Sequence, residues 1–381
     1  MAGTLGTARS RKRSAVITGN SPQSQLASLT GMRFLAAALV VCTHFGLYVR
    51  GNPDFWRNSG QVGVSFFFIL SGFVLTWSSR PDRSARDFWR RRLCKVFPNH
   101  LVTAAVHFAL LCLVGARLTE WQLVPTALLV QSWIPGFDLT TAVSPVSWSL
   151  SCELFFYAAF PFLLRCVVRI RDGRLWWWAA GTVAMIVCVP VVATYLVPDG
   201  NPMTPLLPYM NNDAWFVYFF PVARALEFLL GMLVARLVME GRWLPVGRVP
   251  AMLALALGFW MSMGAGLYSF VAITVVPLAL VIGSTAVADA GGRRSILRAR
   301  PMVWLGEVSF ALYLVHKPVI DFSARALGIP RFSGMDLIAQ LGFFALIFGA
   351  SVLVAWALYR MVERPAMRRW SRARNRRQTS D

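Results

Sequence analysis

The sequence predicts an all-α, polytopic membrane protein of about ten transmembrane helices plus one short re-entrant or interfacial segment. Three observations carry that expectation. Hydrophobic residues fill 56% of the 381 positions and the mean hydropathy is +0.55, more apolar side chain than a soluble domain of this length hides, so the surplus faces lipid. Apolar runs of about 20 residues, the length a helix needs to cross a bilayer core, recur from residue 31 to residue 361. Charged residues make up only 14% of the chain, and most of them gather between the runs.

The runs fall at 31–49, 61–79, 97–115, 121–134, 147–168, 175–196, 214–239, 249–266, 268–287, 301–320 and 337–360. The fourth is short and carries Pro125, Gln131 and Ser132, which suits a re-entrant or interfacial piece better than a full crossing. Ten spans remain. Cytoplasmic loops hold the Lys and Arg excess, and with ten spans most of the 38 basic residues share one side with both termini. Counting the fourth run as a crossing would move the Arg165–Arg174 cluster to the opposite side. The expectation is therefore a multi-pass plasma-membrane protein with cytoplasmic termini. It has a disordered basic tail at 1–28, a transmembrane domain at 29–361 and a second basic tail at 362–381. Residues 1–28 hold no apolar stretch suited to a cleaved signal peptide.

A net charge of +21 raises the question of nucleic acid, but the basic residues sit in short clusters between apolar runs rather than on one amphipathic face, so no nucleic-acid partner is expected. The partner is the lipid bilayer. Six cysteines show no paired spacing, and neither a disulfide framework nor a metal site is indicated. Nothing in the pattern sets an oligomeric state.

Ionisable residues inside spans are costly and mark functional interiors. Here they are Arg33, His44, Glu153, Arg224, Glu227, Arg236, Glu307, His316 and Lys317, with His100 and His107 on the third span. Arg33, Arg236 and Glu307 lie near inner ends, where a long side chain also reaches the interface. Arg33 and His44 are eleven residues apart, very nearly three helical turns, so both project from one face about 16.5 Å apart along the axis. His44 and Glu153 both fall in the outer halves of their spans. A carboxylate at matching depth would fix the tautomer of the histidine and stabilise imidazolium, as a general base requires; a structural hydrogen bond is the alternative.

Arg224 and Glu227, three residues apart, read first as a structural ion pair. His316 near the outer end of its span either caps an acceptor site or sits at the interface. His316 and Asp321 spell a His-x4-Asp pattern, but five residues place the two about 140° apart on a helix; the pattern is chance. No Gly-x-Ser-x-Gly elbow exists to support a serine nucleophile. The loop Arg80–Lys95, with Arg90, Arg91, Arg92 and Lys95 among its cations, serves as a topology anchor, as a dock for a polyanionic ligand gripped by forked Arg donors, or as both.

These residues lie in segments that resemble the acyltransferase family 3 proteins, integral-membrane O-acyltransferases that use acyl-CoA. Arg33 and His44 fit that family's Arg-x10-His motif within LTGMRFLAAALVVCTHF. GVSFFFILSGFVLTW at 63–77, FWRRRLCKVFP at 88–98, SWSLSCELFFYAAFP at 147–161, RALEFLLG at 224–231, LGEVSFALYLVHKPV at 305–319 and ERP at 363–365 follow in order. Seven collinear matches form a specific signal. Two positions depart from the pattern: Lys95 stands where the family has a second Arg, and Ser65 where an acidic residue is common.

The resemblance implies transfer of a short acyl group from acyl-CoA, a co-substrate rather than a permanently bound cofactor, to a hydroxyl of a small-molecule acceptor. It implies catalytic roles for His44 and Glu153. Donor phosphates would be held by Arg33, Arg91, Arg92 and Lys95, and acceptor contacts made by Trp148, Ser149, Arg224, Glu227, Tyr313 and His316. The chain resembles the bare membrane core of the family. Arg outnumbers Lys 35 to 3, a bias of GC-rich actinomycete-like genomes, where bare-core members resemble macrolide or polyketide acyltransferases; sugar hydroxyls of surface polysaccharides are the rival acceptors. A transporter or flippase would also suit ten spans with buried charges, but no internal symmetry of broken helices supports it.

Overall fold

The computed structural model of the chain describes residues 26–48, 53–80, 84–198, 212–328 and 336–370; the expected tails lie largely outside them. Among the described residues the fold is entirely helical. In chain order the helices are α1 (Ala27–Phe45), α2 (Pro53–Trp77), α3 (Ala85–Leu113), α4 (Glu120–Leu128), α5 (Phe137–Thr141), α6 (Trp148–Arg169) and α7 (Leu175–Leu196). They continue with α8 (Asn212–Tyr218), α9 (Pro221–Met239), α10 (Arg248–Met261), α11 (Val275–Ala290), α12 (Arg300–Ala326), α13 (Leu337–Leu358) and α14 (Arg364–Trp370).

Each expected crossing carries a helix of 14 residues or more. Seven of them, α1, α2, α3, α6, α7, α12 and α13, are long and apolar enough to cross a bilayer by length and composition. The other three are α9, which carries Arg224, Glu227 and Arg236, and the shorter α10 and α11, of 14 and 16 residues. The protein is an all-α, multi-pass membrane protein, and its surface fits that medium. Trp176, Trp177, Trp178, Trp304 and Trp370 are exposed near one end of the bundle and Trp121, Tyr195 and Trp260 near the other, the aromatic belts of two membrane interfaces.

One run differs from its sequence reading and another keeps to it. The run at 214–239 is broken, because Phe220 is extended and Pro221 starts a new helix; Pro lacks the N–H that continuation would need. The fourth run is a short helix, α4, stopped by Leu129 in the left-handed conformation (φ 58°) and followed by a 3₁₀ turn at Gln131–Trp133. Leu129, Gln131 and Ser132 are fully buried. Most of their side-chain polar groups are paired inside the protein: Gln131 Nε2 donates to Ser147 Oγ at 3.0 Å and Ser132 Oγ to the Trp148 carbonyl at 3.0 Å, while Gln131 Oε1 has no partner among the described residues. Irregular backbone at membrane depth is tolerated only on such terms.

Helix α1 packs between α2 and α12, and α2 packs in turn on α9. Glycines allow the backbones to approach closely, as in other membrane helix pairs. A Cβ on Gly72 would strike the Phe228 carbonyl of α9, and one on Gly231 the Ile69 carbonyl of α2. The start of α1 is capped from a distance, since Asp289 at the end of α11 accepts from the Ser28 N–H at 2.7 Å and the Ser28 hydroxyl at 2.5 Å. Thus α1, the helix with both Arg33 and His44, is fixed in depth.

Candidate active site

Two groups of polar side chains lie inside the bundle, separated by Tyr313. The inner group draws on three helices. Arg33 from α1, Arg92 and Lys95 from α3, and Glu153 and Tyr157 from α6 line a cavity of about 100 Å³, with Ser71, Phe67 and Phe310 on its other walls. Tyr157 Oη donates to Glu153 Oε2 at 3.1 Å. Arg92 lies over the rings of Phe88 and Tyr157, at 5.5 and 5.8 Å, and Lys95 over Phe310 at 5.7 Å. A second buried carboxylate, Glu363, accepts from Asn99 Nδ2 at 3.0 Å and lies within electrostatic reach of Lys95 and Arg33.

The outer group is built on a histidine pair. His316 Nε2 lies 3.0 Å from His44 Nδ1. His44 Nδ1 is also 3.0 Å from the Val40 carbonyl, and His316 Nδ1 is 3.1 Å from the Leu312 carbonyl. A carbonyl only accepts, so each Nδ1 carries the proton. His316 Nε2 is then an acceptor for His44 Nδ1–H, and the lone pair of His44 Nε2 is left available. Beside the pair, Asp321 accepts from Tyr48 Oη at 2.7 Å and bonds Lys317 Nζ, and the ring of His107 meets Phe322.

Three cavities lead toward Tyr313, and neither His44 nor His316 is among the residues that line them. A vestibule of about 380 Å³ lies between the end of α2, the start of α3 and the last turns of α6. It shares Leu75 and Arg92 with the inner cavity. The inner cavity shares Arg33, Phe67, Glu153 and Phe310 with a deep lobe of about 50 Å³ that reaches Ser149 and Tyr313. Ser149 Oγ and Tyr313 Oη are 2.7 Å apart, and the Tyr313 ring centroid is 6.0 Å from that of His316.

The expected residues separate accordingly. Arg33, Arg92, Lys95 and Glu153 meet in one cavity, Arg91 lines the vestibule, and Ser149 and Tyr313 border the deep lobe. Glu153 does not meet His44, which corrects the expected carboxylate–histidine pairing. The reason is depth. Before α6 the chain is buried at Leu129, Gln131 and Ser132 and again at Val143, Ser144, Val146 and Ser147, so α6 starts within the bundle and its sixth residue lines the same cavity as Arg33.

Arg224 and Glu227 form a buried ion pair at 3.1 Å. Arg224 also donates to Ser65 Oγ at 3.3 Å and stacks on Phe68 and Tyr218. With Trp148, packed on Tyr218 and Phe219, they belong to the wall behind the deep lobe rather than to its lining. His316 and Asp321 leave their helix in different directions to different partners, as their spacing predicts.

Two members of the inner group escape sequence reasoning. Tyr157 follows Glu153 by four residues, a legible spacing. Glu363 lies in a π-helical turn, Tyr359–Glu363, whose extra residue rotates the carboxylate inward.

Residues 26–360 match the family model of the acyltransferase domain, acyltransferase family 3, and the chain belongs to that family. It is 38% identical to acyltransferase MdmB of Streptomyces mycarofaciens, over 92% of this chain and 94% of that protein. It is 26% identical to the putative peptidoglycan O-acetyltransferase YrhL of Bacillus subtilis and 23% identical to the peptidoglycan O-acetyltransferase OatA of Listeria monocytogenes, over 80% and 89% of this chain. The chain spans about half the length of those two relatives, 50% and 55%. No solved structure matches.

Proposed function

We propose that this membrane acyltransferase moves a short acyl group from acyl-CoA to a hydroxyl of a small-molecule acceptor, with His44 as general base. The observation that carries the reading is the fixed tautomer of the His44–His316 pair, which leaves His44 Nε2 unprotonated. Arg33, Arg91, Arg92 and Lys95 bind the donor, whose arm enters through the inner cavity toward the deep lobe. The acceptor hydroxyl gives its proton to His44 Nε2 as its oxygen attacks the thioester carbonyl. The C–S bond breaks, and the proton passes from His44 to the departing thiolate, so CoA leaves as the thiol. No activated nucleophile is evident for an acyl-enzyme, which favours direct transfer.

The basic end of the bundle, with the vestibule, faces the cytosol where acyl-CoA is made, and both termini lie on that side. The acceptor is a polyketide or macrolide-type hydroxyl. A second class, the sugar hydroxyls of surface polysaccharides, is favoured by relatives named for peptidoglycan O-acetylation and exopolysaccharide production. Mass spectrometry of products after co-expression with candidate acceptors decides between them: acylated polyketide supports the first class and acylated glycan the second. Absence of His44-dependent consumption of acyl-CoA by the purified protein would overturn the donor reading.

A further inference from the structure

The vestibule is far larger than the inner cavity, and its chemistry differs. Arg33 and Lys95 in the inner cavity already face two buried carboxylates, Glu153 and Glu363, so their charge is largely compensated and the space beside them is small. A nucleotide with several phosphates would be desolvated there against two carboxylates, at prohibitive cost. The vestibule gathers Arg80, Arg91 and Arg165 around one hollow, with Arg92 shared between it and the inner cavity. Arg80 and Arg165 are exposed, and among the described residues no carboxylate lines the hollow. Phe88 and Phe160, with ring centroids 4.9 Å apart, form an aromatic floor of the kind on which a base stacks.

Length provides an independent check. Leu75 borders the vestibule and Val64 the deep lobe; both are on α2, eleven residues apart, hence about 16.5 Å along the axis. An extended pantetheine chain from phosphate to sulfur, about 13 bonds, spans roughly 16 Å by ordinary bond geometry. A Cβ added at Gly63, the neighbour of Val64, would strike the Ala36 carbonyl and the Val40 side chain of α1, and His44 is one helical turn beyond Val40. That turn, about 5.4 Å, is the room an acceptor hydroxyl needs between base and thioester.

We infer that the vestibule is the binding site for the phosphorylated nucleotide end of coenzyme A, with Arg80 and Arg165 as phosphate-binding residues beside Arg91 and Arg92. The inference rests on the acyl-CoA reading above. It reassigns Arg33 and Lys95 from the phosphates to the pantetheine arm and thioester.

A lipid headgroup offers the same phosphate chemistry, so the test separates the two sources. The full chain in phosphatidylcholine nanodiscs is titrated with coenzyme A, adenosine 3′,5′-bisphosphate and pantetheine, then again with phosphatidylglycerol added. Arg80→Ala and Arg165→Ala are each expected to weaken coenzyme A and the bisphosphate about three- to tenfold and to leave pantetheine unchanged. Arg165→Lys recovers part of the loss, because the charge survives without the fork. Arg33→Ala weakens coenzyme A and pantetheine alike. Unchanged coenzyme A affinity in the Arg80→Ala/Arg165→Ala double variant overturns the vestibule site while leaving the donor reading intact, as does equal loss for coenzyme A and pantetheine. An effect of the two substitutions that appears only with phosphatidylglycerol assigns the arginines to lipid and also overturns it. If the unsubstituted chain binds no coenzyme A at all, the donor reading falls first and the vestibule site with it.

Discussion

His44 and His316, on the first and twelfth helices, share one proton across a 3.0 Å contact between Nδ1 and Nε2. Carbonyls of their own helices decide which nitrogen holds it. A neutral imidazole thus orients the base where many enzymes use a carboxylate. Its effect is orientation rather than charge stabilisation.

Replacing His44 by Ala should lower kcat by 10²-fold or more, the usual consequence of losing a general base, with the melting temperature little changed. His316 acts through His44 and not on the substrate. His316→Gln, whose side-chain oxygen still accepts from His44 Nδ1–H, should keep several times more activity than His316→Leu. Equal activity of the two variants, with similar pH profiles, would show that His316 only fills space.

Glu153 belongs to the donor cavity, so its substitution should be felt in donor binding. Glu153→Gln is expected to raise the donor KM about three- to tenfold while kcat stays within about threefold. Initial-rate kinetics over a range of acyl-CoA concentrations measure both. A fall in kcat with unchanged KM would return Glu153 to a role at the base.

The buried pair Arg224–Glu227 makes a stability prediction. Arg224→Met alone should cost about 3–5 kcal/mol, because Glu227 would be left charged and unpaired in the interior. Arg224→Met combined with Glu227→Leu should recover most of that loss. Reversible unfolding in detergent, followed as a complete double-mutant cycle, would expose simple additivity if the two side chains do not depend on each other.

Asp289 caps α1 from the end of α11. Asp289→Ala should destabilise the protein by about 1–2 kcal/mol, the scale of a lost helix cap, and speed hydrogen exchange at the first turn of α1. If that turn exchanges no faster than in the unsubstituted protein, Asp289 is not what fixes the depth of the helix.

The sequence by itself determined the membrane class, the ten helical runs and the broken fourth run, because hydropathy, length and Pro placement act over a few turns. It also placed Arg33 and His44 on one face of α1, since their eleven-residue spacing is a property of any helix. The partners of those residues were settled only by tertiary structure. Glu153 joins Arg33 instead of His44 because the buried segment before α6 sets that helix deep in the bundle, and depth relative to neighbours is not encoded in spacing. His316 meets His44 because α12 packs directly along α1, and Glu363 turns inward because of a π-helical turn. A helix carries its own periodicity in its residues, whereas the height at which it stands beside another is decided by the packing of all of them.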